Sequence, residues 1–158
     1  MIPMIRNRCV AACLFALVIG AGLLQPPSAF ASGRHHYSSW SYRPQSTYYY
    51  SYYYYKPTTS YSGYRHHYCI YYPSRPRYVY YYNPVRKVYW GRYDLEEKGY
   101  SLLAKKNRKE KLDEIPDSAF PEPGKMPEIP GSEDGERILP IDPDSLPDLT
   151  VPEDAPSK

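Results

Sequence analysis

Residues 77–100 read Arg77-Tyr78-Val79-Tyr80-Tyr81-Tyr82-Asn83-Pro84-Val85-Arg86-Lys87-Val88-Tyr89-Trp90-Gly91-Arg92-Tyr93-Asp94-Leu95-Glu96-Glu97-Lys98-Gly99-Tyr100. Aromatic and β-branched residues fill Arg77 to Tyr82 and again Lys87 to Tyr93. Asn83-Pro84-Val85-Arg86 between them is a turn signal, so the stretch reads as a hairpin. Strand alternation puts Tyr78, Tyr80 and Tyr82 on one face and Val79 and Tyr81 on the other, with Val88 and Trp90 opposite Tyr89. Gly91 marks a bulge. Upstream, Tyr68-Cys69-Ile70-Tyr71-Tyr72 is a further strand, stopped by Pro73-Ser74-Arg75-Pro76. Downstream, past the charged loop 94–99, Tyr100-Ser101-Leu102-Leu103-Ala104 returns as a fourth.

The expected fold class is therefore a mostly disordered chain with one small β-rich module. The module is an antiparallel meander of three to four strands, about 68–104, closed on one side by Ile70, Leu102, Leu103, Leu112 and Ile115. Aromatic pairs across its strands contribute roughly 0.2–1 kcal/mol each. A short helix is expected near 108–114, where Asn107 and Glu110 have capping-box spacing and Pro116 is a stop.

Part of this module resembles a WW domain, the small sheet that binds proline-rich ligands. The likeness rests on Arg77-Tyr78-Val79-Tyr80-Tyr81-Tyr82-Asn83 and the later Trp90. It covers the middle strands only, since Trp40 lies 50 residues before Trp90 and no proline follows Trp90 at the family's position. Tyr82 to about Pro130, with Tyr-Asn-Pro, Tyr-Trp-Gly-Arg, Gly-Tyr-Ser-Leu-Leu and Ile-Pro-Asp-Ser-Ala-Phe-Pro-Glu-Pro-Gly, resembles uncharacterised secreted Tyr-rich proteins of planctomycete-type bacteria. That resemblance implies a folded module with variable flanks and no particular activity.

The flanks are biased in opposite ways. All 21 tyrosines fall between Tyr37 and Tyr100. Residues 32–67 form a basic, Tyr-rich arm of low complexity, including Tyr48-Tyr49-Tyr50-Ser51-Tyr52-Tyr53-Tyr54-Tyr55. Without visible alternation its register is unspecified, so the arm is expected to be disordered alone. From Ser32 to Arg92 there are nine cations and no acid; all 17 acids come from Asp94 onward. Residues 116–158 carry ten prolines and read as an extended, polyproline-like acidic tail unable to bury a core. The tail's charge invites pairing with the basic arm, within or between chains, and its prolines suit the aromatic hairpin.

The first 31 residues read as a signal peptide. Arg6 and Arg8 precede an apolar run of 15 residues, Val10 to Leu24, too short to span a membrane. Ala29-Phe30-Ala31 supplies the small residues for cleavage after Ala31. Val10-Ala11-Ala12-Cys13 mimics a lipoprotein box, but the apolar run follows its cysteine instead of preceding it. The expected location is secreted, or periplasmic and cell-envelope, with no membrane anchor left. Cleavage would remove Cys9 and Cys13, leaving Cys69 alone, so no internal disulfide framework is available.

No nucleophile–base pair, ordered carboxylate pair or Gly-rich phosphate loop is present, so catalysis and a cofactor are not expected. Lys105-Lys106-Asn107-Arg108-Lys109 is a charge run, but the acids around it and the export signal argue against nucleic acid. Three chemistries remain. Tyr78, Tyr80, Tyr82, Trp90 and Tyr93 are candidate binding residues for a peptide or protein, including a proline-rich segment. The arm suits self-association, or association with an envelope protein or glycan, and oxidative tyrosine coupling. The repeat Ser32-Gly33-Arg34-His35-His36-Tyr37 and Ser62-Gly63-Tyr64-Arg65-His66-His67-Tyr68 gathers all four histidines. With Cys69 these make a loose metal-ligand set, His35, His36, His66, His67 and Cys69, although neighbouring side chains on a strand point to opposite sides.

Overall fold

In the computed structural model, which describes residues 33–149, seven antiparallel strands form one sheet. They are β1 (His35–Tyr37), β2 (Ser41–Arg43), β3 (Tyr48–Tyr55), β4 (Arg65–Tyr71), β5 (Tyr78–Asn83), β6 (Val88–Asp94) and β7 (Gly99–Leu102). From β3 onward each strand pairs with the next in the chain. β1 and β2 share the outer edge of β3, β1 against Tyr53–Tyr55 and β2 against Tyr48–Tyr50. The expected signal segment, 1–31, and the end of the tail, 150–158, lie outside the described residues.

The four expected strands are present as β4 to β7, but the sheet does not begin there. The Tyr-rich arm, expected to be disordered, supplies β1, β2 and β3. In β3, Tyr49, Ser51, Tyr53 and Tyr55 are buried while Tyr48, Tyr50, Tyr52 and Tyr54 are half-exposed. A tyrosine has an apolar ring and a polar tip, so it serves either face. A run of one residue type thus conceals a period of two.

The expected helix at 108–114 is absent. Single 3-10 turns stand at Lys105–Asn107, Leu112–Glu114 and Asp117–Ala119 instead. The backbone here bonds to the sheet: Tyr89 donates to the Lys109 carbonyl (2.8 Å) and Leu103 to that of Trp90 (3.0 Å). Groups taken by the sheet are not free for an internal helical ladder.

Two successive hairpins use the same chemistry. The Asn83 side-chain oxygen accepts from the amides of Val85 (3.0 Å) and Arg86 (2.9 Å). The Asp94 carboxylate accepts from those of Glu96 (3.0 Å) and Glu97 (3.1 Å). Each turn closes on a lysine at positive φ, Lys87 (51°) and Lys98 (52°). Asn83-Pro84-Val85-Arg86-Lys87 and Asp94-Leu95-Glu96-Glu97-Lys98 are one turn in two spellings. In β6 a bulge falls between the pairs Tyr82↔Tyr89 and Tyr81↔Gly91, leaving Trp90 unpaired.

Each face of the sheet has its own cover. On the first, Tyr49, Tyr53, Tyr55, Cys69, Tyr71, Val79, Tyr81, Tyr93 and Tyr100 pack under Met126, Ile129, Ile138 and Ile141. These four belong to the acidic tail, expected to be unable to bury a core. Its single aliphatic residues are enough because the sheet supplies the aromatic half. A small hairpin places two of them: Ile129 N donates to Glu136 O (2.8 Å) and Ile138 N to Pro127 O (2.9 Å), with Gly131 and Gly135 at positive φ. Tail and arm are also tied by charge. The guanidinium of Arg34, 5% exposed, bonds Asp134, Ser132 Oγ (3.3 Å) and the carbonyl of Pro57 (2.5 Å). On the second face, Ile70, Tyr80 and Tyr89 pack under Leu103, Ile115 and Phe120. Arg92 lies between the rings of Tyr78 (3.9 Å) and Phe120 (4.1 Å) and bonds Asp117 (2.7 Å).

Candidate functional site

The second cover lies over β5 and β6 and reaches β4 at Ile70. Over β3 and the rest of β4 that face stays more open. Alternation from Tyr48 to Tyr54 sends Tyr48, Tyr50, Tyr52 and Tyr54 to it, and pairing with β4 sets His66 and Tyr68 beside them. β1 adds His36 opposite Tyr54, β5 adds Tyr82 opposite Tyr68, and the β3–β4 loop adds Tyr64.

These rings form one contiguous array. Tyr52 and Tyr68 centroids are 5.0 Å apart, Tyr50 and Tyr52 5.9 Å, and Tyr52 and Tyr54 5.6 Å with planes within 19°. His36 stacks on Tyr54 at 5.1 Å, and Tyr64 meets His36 edge-on at 5.1 Å. Tyr68 continues to Tyr82 (6.5 Å), and Tyr82 to Tyr89 (5.1 Å). Side chains stand roughly perpendicular to a sheet; at the edges of the array Tyr64 Oη donates to the Gly33 carbonyl (2.5 Å) and Tyr48 Oη accepts from Arg43 (3.2 Å). Cations flank it: Arg43 lies over Tyr50 (5.6 Å) and the Lys56 ammonium over Tyr64 (4.9 Å). A groove of about 300 Å³ runs between Tyr50, Tyr68, Tyr82 and Arg43, with Glu110 at its rim.

At the far end, beyond His66 and Tyr64, a cleft of about 680 Å³ opens between β4, the β5–β6 turn and the tail hairpin. Arg65, Arg86 and Arg108 line it with Tyr55 and Trp90, and among the described residues no carboxylate does. The bulge gives Trp90 its place there: it lies on the tail-covered side, 5.0 Å from His67 and 6.1 Å from Tyr100.

The five residues singled out in the hairpin are dispersed. Tyr78, Tyr80 and Tyr82 do share a face. Tyr80 is fully buried there, however, and Tyr93 is 3% exposed on the opposite face. Tyr82 alone reaches the open array. Trp90 is half-buried at the cleft.

The histidine pairs are divided by the sheet. His36 and His66 lie on the open face, near one another through Tyr54 and Tyr64. His35 and His67 lie on the tail-covered face. His35 Nδ1 bonds Tyr53 Oη (2.6 Å), and His67 Nε2 bonds the Asn83 amide (3.1 Å). Burial pulls the His67 pKa down to about 3. Cys69 is fully buried, and burial pushes its thiol well up, so it is held away from any second chain. Among the described residues, no three His, Cys, Asp or Glu side chains gather as a metal site.

The array itself had a signal in the sequence. It was the run Tyr48 to Tyr55, read as low complexity because every position looked alike.

No protein-family model matches the chain, and no curated protein or solved structure matches it.

Proposed function

We propose that this is a non-catalytic association module that acts outside the cytoplasm and holds a polymer of the cell envelope on its open tyrosine face. The carrying observation is the asymmetry of the sheet. One face is closed by the chain's own tail, and the other leaves a contiguous aromatic array partly exposed at Tyr48, Tyr50, Tyr52, Tyr54, Tyr68 and Tyr82 and exposed at Tyr64. A contiguous aromatic patch of this kind marks an interaction surface. Tyrosine is the residue for the task, because its ring buries area at low entropic cost and its hydroxyl bonds polar partners. An array of partly exposed phenols suits a hydroxyl- or amide-rich chain more than an apolar surface.

The test is co-sedimentation of residues 32–158 with isolated envelope material, comparing wild type with Tyr52→Ala/Tyr68→Ala. Retention of wild type and release of the variant are expected, with unchanged far-ultraviolet circular dichroism. Equal retention of both would refute the reading. A second use of the same rings is favoured by the exposure of Tyr64, at 42%. Given a one-electron oxidant, two such phenols on different chains each lose an electron and a proton and couple as dityrosine. Peroxidase treatment should then give covalent dimers that Tyr64→Phe diminishes.

A further inference from the structure

The cleft at the end of the open face has a composition its structural role does not need. Arg65 and Arg86 are exposed and Arg108 is half-buried; among the described residues none has an ion-pair partner and no carboxylate lines the cleft, while Arg65 donates to Tyr61 Oη (3.2 Å) and Arg108 to the Leu103 carbonyl (3.0 Å). The more buried arginines elsewhere are paired, Arg34 with Asp134, Arg77 with Asp94 and Arg92 with Asp117, whereas the exposed Arg43, Arg75 and Arg137 stand apart from one another. Acids are not scarce, since the tail that borders the cleft at Pro130 and Gly131 is rich in them. Like charges crowd here: Arg86 adds to the burial that lowers the Arg108 pKa. Three guanidiniums with no carboxylate partner among the described residues create a local positive potential that an anion would relieve. Their walls are aromatic. Arg108 lies over Trp90 at 5.6 Å, and Tyr55 and Tyr64 face the same space. The volume of about 680 Å³ is far more than a single small ion fills and falls within the range of ligand pockets.

The cleft is also continuous with the tyrosine array, because His66 and Tyr64 belong to both. Charge along this path is sparse: the guanidinium of Arg43 at one end, the trio and the Lys56 ammonium over Tyr64 at the other, phenols between, and Glu110 at the groove. A nucleic acid, with a phosphate at every step, needs a continuous cationic track. This path fits a chain that is mostly hydroxyl with an occasional acidic group.

We propose that the cleft binds the carboxylate or sulfate of an acidic polysaccharide, whose neutral stretch lies along the open tyrosine face. The assignment rests on the association function proposed above and names its ligand class. The planar guanidinium fork matches a carboxylate or sulfate with two parallel hydrogen bonds, and the rings pack against the C–H faces of the adjoining sugar.

The experiment measures binding of residues 32–158 to dextran, dextran sulfate, alginate and a single-stranded oligonucleotide. It compares wild type, Arg65→Ala/Arg86→Ala and Tyr52→Ala/Tyr68→Ala. The arginine pair is exposed, so the fold survives its loss, and circular dichroism checks this. Wild type should bind dextran sulfate or alginate roughly tenfold or more tighter than dextran, and the arginine variant should erase that difference. Preference for the sulfated chain alone, or for alginate alone, would tell a sulfate from a carboxylate ligand. Equal binding of dextran and both anionic chains, unaffected by the arginine variant, would overturn the cleft assignment and leave the tyrosine face standing. Anionic binding lost in the arginine variant but kept in the tyrosine variant would support the cleft and overturn the face. Binding of none of the polysaccharides would overturn both. An oligonucleotide bound as tightly as alginate would overturn the ligand class.

Discussion

His67 shows what a single position costs when a strand runs through the core. It is fully buried against Trp90 and Tyr55, and burial holds its pKa down near 3. An unfolded histidine titrates near 6.5, so below that pH the unfolded chain takes a proton that the folded one refuses. Stability is therefore full above pH 6.5 and falls as the pH drops toward 3. The loss from this residue between pH 7 and pH 5 is about 2 kcal/mol. Burial lowers the pKa of His35 as well, with the same sign. Urea midpoints at pH 7 and pH 5 should show the drop, and His67→Gln should reduce it; midpoints independent of pH would contradict the burial. Gly91 is the second decisive residue. A Cβ there would lie 2.5 Å from both the Tyr100 ring and the Ser101 carbonyl oxygen, so the glycine lets Tyr100 fold over the bulge. Gly91→Ala should cost about 1–3 kcal/mol, read from thermal or urea unfolding, and an unchanged midpoint would mean the ring moves freely aside.

At the level of elements, legibility followed the variety of residue types. Strands β5 and β6 could be read because Val79, Asn83, Pro84, Val88 and Gly91 break the tyrosine pattern. Strand β3 could not, because seven tyrosines and one serine give no contrast between its faces. Its register comes from partners such as Cys69 opposite Ser51 and Ile70 opposite Tyr50, far along the chain. The expected helix failed for a related reason: capping-box spacing at Asn107 and Glu110 is local, whereas the Tyr89–Lys109 bond that displaces it is not. Proline density in the tail forbade helices but did not forbid burial, and Ile129, Ile138 and Ile141 are each 3% exposed or less. Of the hairpin candidates, Tyr82 alone joins the open array, and His36 and His66 of the histidine pairs join it too. Its other rings lay in the segment that seemed featureless. Ile138→Ala should cost about 2–5 kcal/mol by chemical denaturation, the figure for an ordinary core isoleucine. A loss near zero would show the tail hairpin to be peripheral.

For the whole molecule, the arm, the meander and the tail are one structure. The tail bridges to the free edge of β7, where Tyr100 and Gly124 exchange hydrogen bonds of 2.8 and 3.0 Å. It also covers the aromatic face inside that edge. A chain ending at Gly124 would bare Tyr53, Tyr71, Val79 and Tyr81. It should bind hydrophobic dyes and aggregate, as checked by dye fluorescence and light scattering against the full chain. A monomeric shortened form with an unchanged melting temperature would show the cover to be dispensable.

The clamp between Arg34 and Asp134, a hundred positions apart, also orders events in time. Contacts of such sequence separation form late, because the loop they close must be brought together first. A chain emerging from its N-terminus presents its strands well before residues 126–141 arrive to seal them. Completion is thus withheld until nearly the whole polypeptide has appeared.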